Sequence, residues 1–253
     1  MPREQRFQHI LRTLSRRDFV PVRELAERLE VSPMTVRRDL AVLEEQGYLL
    51  RTHGGAMKGQ AVESLFSFNR RLQRAGEQKR AIGRAAAGFV EDGEILFVDC
   101  GTTPFSLAAH LRRRKGLRVI TTSLPVVAEL LHSPGVRVSL IGGEVVGERQ
   151  AVYGAAAERA ILEYHADKAF IGVDGLSLAG GLSSYDEQEA GVTRRMAENA
   201  GRVFLLCDSS KIERDSYVRF APLSLFQVLI TDGGLPRAVR ERYRRRGIRI
   251  VTS

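Results

Sequence analysis

One stretch near the amino terminus, Ser32-Pro33-Met34-Thr35-Val36-Arg37-Arg38-Asp39-Leu40, limits what the chain can fold into more than any other. Serine is a good N-cap and proline a good first helical residue, so a helix is predicted to start here. Val36, Leu40 and Leu43 share its apolar side, whereas Arg38 lies about 200° around from Val36 and points to solvent. The stretch therefore predicts a helix that is buried on one side and presents arginine on the other.

Two apolar patterns before this helix and an extended segment after it complete a small domain. Apolar residues recur at helical spacing in two earlier segments, Phe7, Ile10, Leu11 and Leu14, then Val22, Leu25, Ala26 and Leu29. Residues 48–53 have an extended character, and Gly54-Gly55 permits a tight turn. This order predicts a winged helix-turn-helix, in which the third helix places its first side chains in the DNA major groove.

The residues that we expect to contact DNA lie at the start of the third helix and on the wing. They are Ser32, Pro33, Thr35, Arg37, Arg38, Arg51 and His53. Arginine can donate two hydrogen bonds to a guanine edge or to a phosphate group. The alternative for Arg37 and Arg38 is an ordinary solvated face. Asp39, beside them, is expected to orient one of these arginines or to bind the end of the second helix.

The charge of the chain favours a polyanionic partner but does not locate its surface. The formal net charge is +9. Residues 1–60 carry 11 basic and 8 acidic residues, whereas residues 236–253 carry 7 arginines and one glutamate. The tail is therefore more basic than the predicted DNA reader, and bulk charge alone would misplace the DNA-binding surface.

Composition disfavours several classes of protein. The sequence has no run of about 18 apolar residues, so no membrane span is predicted. The first residues lack the apolar core of a signal peptide. The 2 cysteines and 5 histidines show no metal-ligand spacing, and no phosphate-loop motif occurs, so neither a metal nor another cofactor is expected. We expect a cytoplasmic protein in which Cys100 and Cys207 are packed free thiols, with a redox sensor as the alternative.

From residue 77 onward, short apolar strands alternate with helical patterns. The predicted strands are Ile95–Val98, Arg118–Thr121, Val136–Ile141, Ala169–Val173, Val203–Cys207, Val228–Thr231 and Ile248–Val251. Strands that are apolar throughout and alternate with helices indicate a mostly parallel sheet covered on both faces. We therefore predict a winged helix-turn-helix domain at residues 1–58, a linker at 59–76 and a larger α/β effector-sensing domain at 77–253.

Polar residues follow six of these strands and suggest a ligand site, because ligands bind outside the carboxyl ends of such sheets. The candidate ligand-binding residues are Asp99, Gly101, Thr102, Thr103, Thr122, Gly142, Gly143, Asp174, Glu189, Asp208 and Lys211. A helix starting at Gly101 offers free N–H groups to an anion, Lys211 offers a cation, and carboxylates suit sugar hydroxyls. The pattern predicts a phosphorylated sugar. The alternatives are a local turn with a surface salt bridge for residues 208–211 and a helix-dipole complement for Glu189.

These motifs together resemble those of the DeoR family of bacterial regulators. The likeness covers nearly the whole chain and is carried above all by residues 25–56, 99–103, 167–175 and 208–211. It implies a sensor domain similar in fold to ribose-5-phosphate isomerase and the CoA transferases. It also implies an oligomer whose effector is typically a sugar phosphate. Thr122 departs from the family pattern, which usually has asparagine at that position.

The motifs and the resemblance lead to one functional interpretation and two alternatives. We expect a DNA-binding transcriptional repressor of a sugar-metabolism operon, a dimer or tetramer that releases its operator when a phosphorylated sugar binds, and not an enzyme. The first alternative is a sugar-phosphate isomerase-like enzyme with an accessory amino-terminal domain, using Asp174, Asp208, Glu189 and Lys211 for proton transfer. The second is a constitutive DNA-binding protein whose larger domain only oligomerises.

Overall fold

The computed structural model describes the backbone of residues 1–253 and the side chains of residues 1–59 and 67–253. The chain divides into two compact units. One consists of residues 1–70 with 147–149, and the other of residues 71–146 with 150–253. No helix in the described part of the chain is both long enough and apolar enough to cross a bilayer.

The first unit is built on three helices and three short strands. They are α1 (Arg3–Arg16), β1 (Phe19–Pro21), α2 (Val22–Leu29), α3 (Pro33–Glu45), β2 (Leu49–Thr52) and β3 (Gly55–Lys58). The strands form an antiparallel sheet in the order β1-β3-β2. The predicted winged helix-turn-helix is confirmed. Strand β1 is not predicted from the sequence, because three residues are too few to show an alternating pattern.

Helix α3 begins where its capping residue predicts. The Ser32 hydroxyl oxygen accepts a hydrogen bond from the backbone N–H of Thr35 at 3.1 Å, and Pro33 is the first helical residue. Val36, Leu40 and Leu43 are buried, as their spacing predicts. The helix is followed by Gly47, whose φ of +75° lies in the left-handed region that glycine adopts without strain. The burial of one side leaves the arginines of α3 on the other.

Helix α4 (Gln60–Gln73) lies within the segment expected as a linker, and its residues 60–70 belong to the first unit. The second unit then alternates strands and helices. Its strands are β4 (Ile95–Val98), β5 (Leu117–Thr121), β6 (Val136–Leu140), β7 (Glu144–Val146), β8 (Ala151–Tyr153), β9 (Ala166–Ile171), β10 (Gly175–Ser177), β11 (Gly181–Ser184), β12 (Ala200–Leu206), β13 (Val218–Ala221), β14 (Val228–Thr231) and β15 (Arg249–Thr252). Its further helices are α5 (Gly76–Ala87), α6 (Thr102–Leu111), α7 (Leu124–Leu130), α8 (Ala155–Ile161), α9 (Glu187–Glu198) and α10 (Arg237–Arg245). All seven predicted strands are present, with ends that shift by up to three residues.

Seven of these strands form a parallel sheet in the order β15-β14-β12-β9-β4-β5-β6. Successive residues of one strand enter different cores: Phe170 packs in the core that contains α5 and α6, and Ile171 packs in the core that contains α8 and α9. This two-sided burial is the reason that the strands are apolar throughout instead of alternating. The predicted α/β architecture is confirmed.

The strand order reverses between β4 and β9. From β4 the chain adds β5 and β6 on one side, and from β9 it adds β12, β14 and β15 on the other. The backbone N–H of Asp99 donates to the carbonyl of Phe170 at 3.0 Å and ties the two strand ends together. Loops that leave a parallel sheet at such a reversal diverge and open a crevice. The fold therefore favours a ligand site at the carboxyl ends of β4 and β9.

Two small antiparallel sheets are not predicted from the sequence. One pairs β7 with β8, and the other has the order β10-β11-β13. Their strands are three or four residues long, which is too short for a period-of-two pattern to stand out. The β10-β11 hairpin follows β9 directly, so it extends from the end of the parallel sheet at which the strand order reverses.

Close packing between α5 and α6 depends on Gly83. A methyl group at this position would overlap the backbone carbonyl of Ser106 in α6. The neighbouring Ile82 and Leu107 are fully buried in the same core. Because α5 and α6 both line the site described below, this contact sets the separation between its walls.

Candidate functional site

The first candidate site is the exposed start of α3. Ser32, Pro33, Arg37 and Arg38 are exposed, as predicted for residues that contact DNA. Among the residues whose side chains are described, no acidic group forms an ion pair with Arg37 or Arg38. Both guanidinium groups are therefore available to phosphates and base edges.

Thr35 is committed partly to the helix start itself. Its backbone N–H bonds to the Ser32 hydroxyl, and the two side-chain oxygens lie 2.9 Å apart. The side chain is half-buried. The hydroxyl of Thr35 can still accept or donate one more bond, so its proposed contact with DNA is compatible with its capping role.

The wing is attached to α3 by an ion pair. Arg51 Nε donates to Glu44 Oε2 at 2.6 Å, and the backbone N–H of Arg51 donates to Glu44 Oε1 at 2.8 Å. These two bonds lower the pKa of Glu44. Arg51 and His53 are exposed on the wing. The remaining N–H groups of Arg51 face solvent with an orientation fixed by Glu44, so Arg51 combines a structural contact with its proposed contact to DNA.

The structure corrects the expectation for Asp39. Its carboxylate pairs with Arg6 of α1, which donates from Nε at 2.6 Å and Nη2 at 3.0 Å, and Arg3 lies 3.9 Å away. The expectation that Asp39 orients Arg37 or Arg38, or binds the end of α2, is wrong. Asp39 lies on the buried side of α3, where the packing of α1 brings in a partner 33 positions distant. The bidentate bond also raises the pKa of Arg6.

The second candidate site is a cavity of about 240 Å³ in the second unit, at the carboxyl ends of β4 and β9. The predicted ligand-binding residues in its lining are Gly101, Thr102, Thr103, Asp174, Glu189, Asp208 and Lys211. These come from the ends of β4, β9 and β12 and from the start of α9. The structure therefore brings together seven of the eleven predicted residues at the reversal of strand order.

Positive charge dominates the cavity wall. The cationic side chains are Arg71, Arg74, Lys79, Lys211 and Arg214, and the acidic ones are Asp174, Asp208 and Glu189. Five cations against three carboxylates leave a formal excess of two positive charges, which matches the charge of one phosphate dianion. The cavity is thus electrostatically complementary to a phosphomonoester.

The start of α6 adds backbone donors to this positive charge. Gly101 is its N-cap and offers no side-chain oxygen to the first N–H groups of the helix. Thr102 and Thr103 follow it in the cavity wall, and their N–H groups lie in the first turn, which has no intrahelical acceptor. Helix starts of this kind bind anions through free N–H groups and the positive end of the helix dipole.

Lys211 and Asp174 bridge two strand ends. Lys211 Nζ donates to the carbonyl oxygen of Val173 at 2.7 Å and lies 3.5 Å from Asp174 Oδ1. Asp174 also accepts a hydrogen bond from the N–H of Tyr185 at 3.1 Å. The ammonium is therefore fixed beside the cavity by the loop after β9, although it belongs to the loop after β12.

Asp208 is both a turn residue and a cavity residue. Its carboxylate accepts hydrogen bonds from the backbone N–H and the hydroxyl of Ser210. Asp208 thereby caps the short 3₁₀ turn at Ser209–Lys211. The local turn that the sequence left open as an alternative is thus present. It does not compete with a ligand site, because the turn itself presents Ser210 and Lys211 to the cavity.

Asp99 lies behind the cavity wall and is not part of its lining. Its carboxylate accepts hydrogen bonds from the N–H of Cys100 at 2.8 Å, the N–H of Gly172 at 2.9 Å and the hydroxyl of Thr193 at 3.2 Å. Burial raises its pKa. Asp99 thereby connects β4, β9 and α9, and it positions the residues that line the cavity.

Thr122, Gly142 and Gly143 are not brought to the cavity. They follow β5 and β6, on the far side of β4 from β9, whereas the strand ends that reach the cavity are those of β4, β9 and β12. The buried hydroxyl of Thr122 has no hydrogen-bond partner among the described residues. Their proposed role in effector binding therefore has no support from the position of the cavity.

The two cysteines are buried and unpaired. Cys100 Sγ lies 3.2 Å from the Tyr153 hydroxyl, and burial raises the pKa of the Cys100 thiol. Burial also raises the pKa of Cys207 to about 12. Both thiols are protonated near neutral pH, a state that disfavours oxidation and agrees with two packed thiols.

Sequence reasoning missed five residues of the cavity wall that have polar or charged side chains, which are Arg71, Arg74, Lys79, Ser210 and Arg214. A signal existed for Lys79, because it is spaced with Ile82 and Ala86 on the buried side of α5, where a lysine is out of place. Its side chain is 4% exposed, and its Nζ donates to the backbone carbonyl of Arg71. Burial and the nearby Lys211 lower the pKa of Lys79 to about 8. The other four lie at a helix end or in loops, where no pattern distinguishes them.

The chain is similar to known proteins along nearly its whole length. Residues 6–59 match the DeoR-like helix-turn-helix domain, and residues 74–233 match the DeoR C terminal sensor domain. The HTH-type transcriptional repressor GlcR of Bacillus subtilis (strain 168) is 33% identical, over 100% of this chain and 97% of the relative. The Glycerol-3-phosphate regulon repressor of Escherichia coli (strain K12) is 32% identical, over 95% of each chain.

A solved structure similar to this chain is ribose 5-phosphate isomerase A from Methanocaldococcus jannaschii. The similarity covers 55% of each chain, with 18% sequence identity and a TM-score of 0.41.

Proposed function

The chain belongs to the DeoR family of transcriptional regulators, and on that premise we propose that it is a repressor of a sugar-metabolism operon. Its operator is held by α3 and the wing, with Ser32, Pro33, Thr35 and the exposed Arg37 and Arg38 at the DNA surface. A phosphorylated sugar bound in the cavity of the second unit releases the operator. The protein acts in the cytoplasm, where its operator DNA lies.

The observation that carries this proposal is the cavity at the reversal of strand order. Its wall has an excess of two positive charges beside the uncapped start of α6. A phosphate dianion satisfies both features at once. The carboxylates of Asp174 and Asp208 accept hydrogen bonds, as the vicinal hydroxyls of a sugar require. One of the curated relatives is named for the glycerol-3-phosphate regulon, which is consistent with a phosphorylated effector.

We further propose that the cavity binds its ligand without converting it. The relatives that match this chain along nearly their whole length are named as repressors and not as enzymes. Incubation with ribose 5-phosphate should yield no ribulose 5-phosphate. Turnover at ordinary enzyme rates would instead support the isomerase-like alternative.

One winged helix makes few base contacts, so we propose that the protein binds repeated half-sites as a dimer or tetramer. Light scattering coupled to size-exclusion chromatography measures this state directly. A monomer that remains monomeric on operator DNA would refute it.

The decisive experiment for the proposed function uses the full-length protein, its own promoter fragment and a panel of phosphorylated sugars with their unphosphorylated counterparts. One phosphorylated member should raise the unfolding free energy by about 2.7 kcal/mol at 100 times its Kd and should release the DNA. The unphosphorylated counterpart should do neither. If no member stabilises the protein, the larger domain is not a sensor of this ligand class.

A further inference from the structure

Lys79 connects the cavity to the helix that precedes it in the chain. Its side chain is 4% exposed and forms part of the cavity wall, near Lys211 and Asp208. The same ammonium donates a hydrogen bond to the backbone carbonyl of Arg71, in the last turn of α4. One buried cation therefore faces both the space for a ligand and the end of a helix.

The end of α4 needs such a donor. The last four carbonyls of a helix have no partner within the helix, and Arg71 is among the last four residues of α4. The chain cannot continue the helix, because Ala75 takes a left-handed φ of +53°. A cation at this position also faces the negative end of the helix dipole. Lys79 therefore stabilises the last turn of α4.

A bound anion attracts the same ammonium, which keeps its bond to the carbonyl only if both acceptors lie within reach of its three N–H groups. A charged acceptor forms a hydrogen bond roughly twice as strong as a neutral carbonyl does. Among the residues whose side chains are described, the charged groups that shift the pKa of Lys79 are three cations, Lys211, Arg71 and Arg74, and one acid, Asp208. A phosphate dianion in the cavity would add a charged acceptor beside this ammonium.

We propose that Lys79 is the sensing residue of the cavity: a bound phosphate group draws its ammonium from the Arg71 carbonyl, and the last turn of α4 loses its cap. This step rests on the proposed function and adds the regulation of the same site. Helix α4 begins at Gln60, two residues after the wing strand β3 ends at Lys58. Loosening of α4 therefore acts on the chain segment that leads directly from the DNA-binding wing.

The experiment is amide hydrogen exchange of the full-length protein with and without inorganic phosphate, read at residues 70–75. The variant is Lys79→Met, which keeps the aliphatic stem and removes the charge. The matched control is Lys168→Met, because Lys168 also donates to a backbone carbonyl, that of Phe89 at 2.7 Å, but lies outside the cavity. Lys79→Arg tests whether a cation alone restores the response.

In the wild type and in Lys168→Met, phosphate should speed exchange at residues 70–75 on the order of tenfold, as for the loss of one hydrogen bond to a charged donor. Lys79→Met should exchange fast without phosphate and should not respond to it, while Lys79→Arg should keep a response. Two results would overturn the proposal and leave the proposed function intact. In the first, phosphate stabilises the wild type but does not change amide exchange at residues 70–75. In the second, Lys79→Met responds to phosphate as the wild type does. If Lys79→Met does not fold, the wild-type and Lys168→Met data decide alone. Absence of inorganic phosphate binding would also overturn the proposal, while the titration with phosphorylated sugars tests the proposed function separately.

Discussion

At the scale of the residue, the arginines of the winged helix differ in whether they form an ion pair within the domain. Arg6 is bound to the buried Asp39 and Arg51 to Glu44, so their guanidinium groups join helices and wing to each other. Arg37 and Arg38 are exposed and form no ion pair with the described acidic side chains. An arginine that is not held in an ion pair can contact a phosphate or a guanine without first breaking one.

Arg38→Ala should therefore weaken binding to the promoter without changing the stability of the fold. The expected loss is about 1–3 kcal/mol if Arg38 reads a base, and the salt dependence should fall by about one unit of slope if it contacts a phosphate. Fluorescence anisotropy at several salt concentrations distinguishes the two. Arg12→Ala, an exposed arginine of α1, is the matched control and should leave affinity unchanged. Equal affinity for Arg38→Ala and the wild type would show that α3 does not read DNA through this residue.

A second prediction at this scale concerns the uptake of a proton by Lys79 when a ligand binds. Burial and the nearby cations lower the pKa of Lys79 to about 8, and a bound dianion should raise it again. Binding of a phosphomonoester at pH 8 should then take up about half a proton, and affinity should fall as the pH rises above 8. Calorimetry in buffers of different ionisation enthalpy measures this uptake, which Lys79→Met should abolish.

The lowered pKa of Lys79 also determines how the free energy of unfolding changes with pH. Because the folded pKa is below the unfolded one, the unfolded chain binds more protons between pH 8 and 10.5. The cost of burying this charged lysine is therefore full below pH 8 and is relieved as the pH rises through that window. If the wild type takes up no proton when it binds a phosphomonoester, Lys79 does not contact the ligand as proposed.

Single residues also show which contacts can be predicted from the sequence and which cannot. The Ser32 cap and the outward arginines of α3 follow from local chemistry, so the sequence predicts them. The partner of Asp39 is 33 positions away, and only the packing of α1 against α3 reveals it. Lys79 is an intermediate case, since helical spacing marks it as buried but its contact with the cavity depends on the sheet order.

At the scale of the element, the separation of α5 and α6 controls the shape of the cavity. Lys79 lies on α5, and Thr102 and Thr103 lie at the start of α6. Gly83 lets the two helices approach until a methyl group no longer fits. The sequence predicts both helices from their periodicity, but it does not predict this contact, because a glycine inside a helix has several possible causes.

Gly83→Ala should destabilise the second unit although alanine favours helix formation. The added methyl group would lie 2.3 Å from the backbone carbonyl oxygen of Ser106, so the helices must move apart at a cost near the upper end of about 1–3 kcal/mol, which exceeds the helical gain of about 1 kcal/mol. Calorimetry should show a fall in Tm of several degrees. Gly88→Ala, at the end of the same helix, has an ordinary helical φ of −67° and serves as the control. A Tm for Gly83→Ala equal to that of the control would contradict the close-packing argument.

At the scale of the whole molecule, the sheet order decides which predicted residues meet. The sequence predicts the strands and the polar residues after them, but it does not contain the order β15-β14-β12-β9-β4-β5-β6 in any local pattern. For that reason the residues after β4, β9 and β12 reach one cavity, while Thr122, Gly142 and Gly143 do not. The two proposed binding surfaces thus depend on different levels of organisation, the start of one helix for DNA and a crevice formed by the whole fold for the ligand.

Thermodynamic linkage sets a strict condition on any coupling between these two surfaces. If a phosphorylated sugar weakens promoter binding by a certain factor, promoter DNA must weaken sugar binding by the same factor. Measured couplings of this kind are typically 5- to 150-fold.

The most direct measurement is therefore a pair of titrations on the full-length protein: promoter affinity with and without saturating phosphorylated sugar, and sugar affinity with and without saturating promoter. We expect the same factor, at least about fivefold, in both directions. Promoter binding that is equally tight with and without a sugar phosphate that demonstrably occupies the cavity would contradict it.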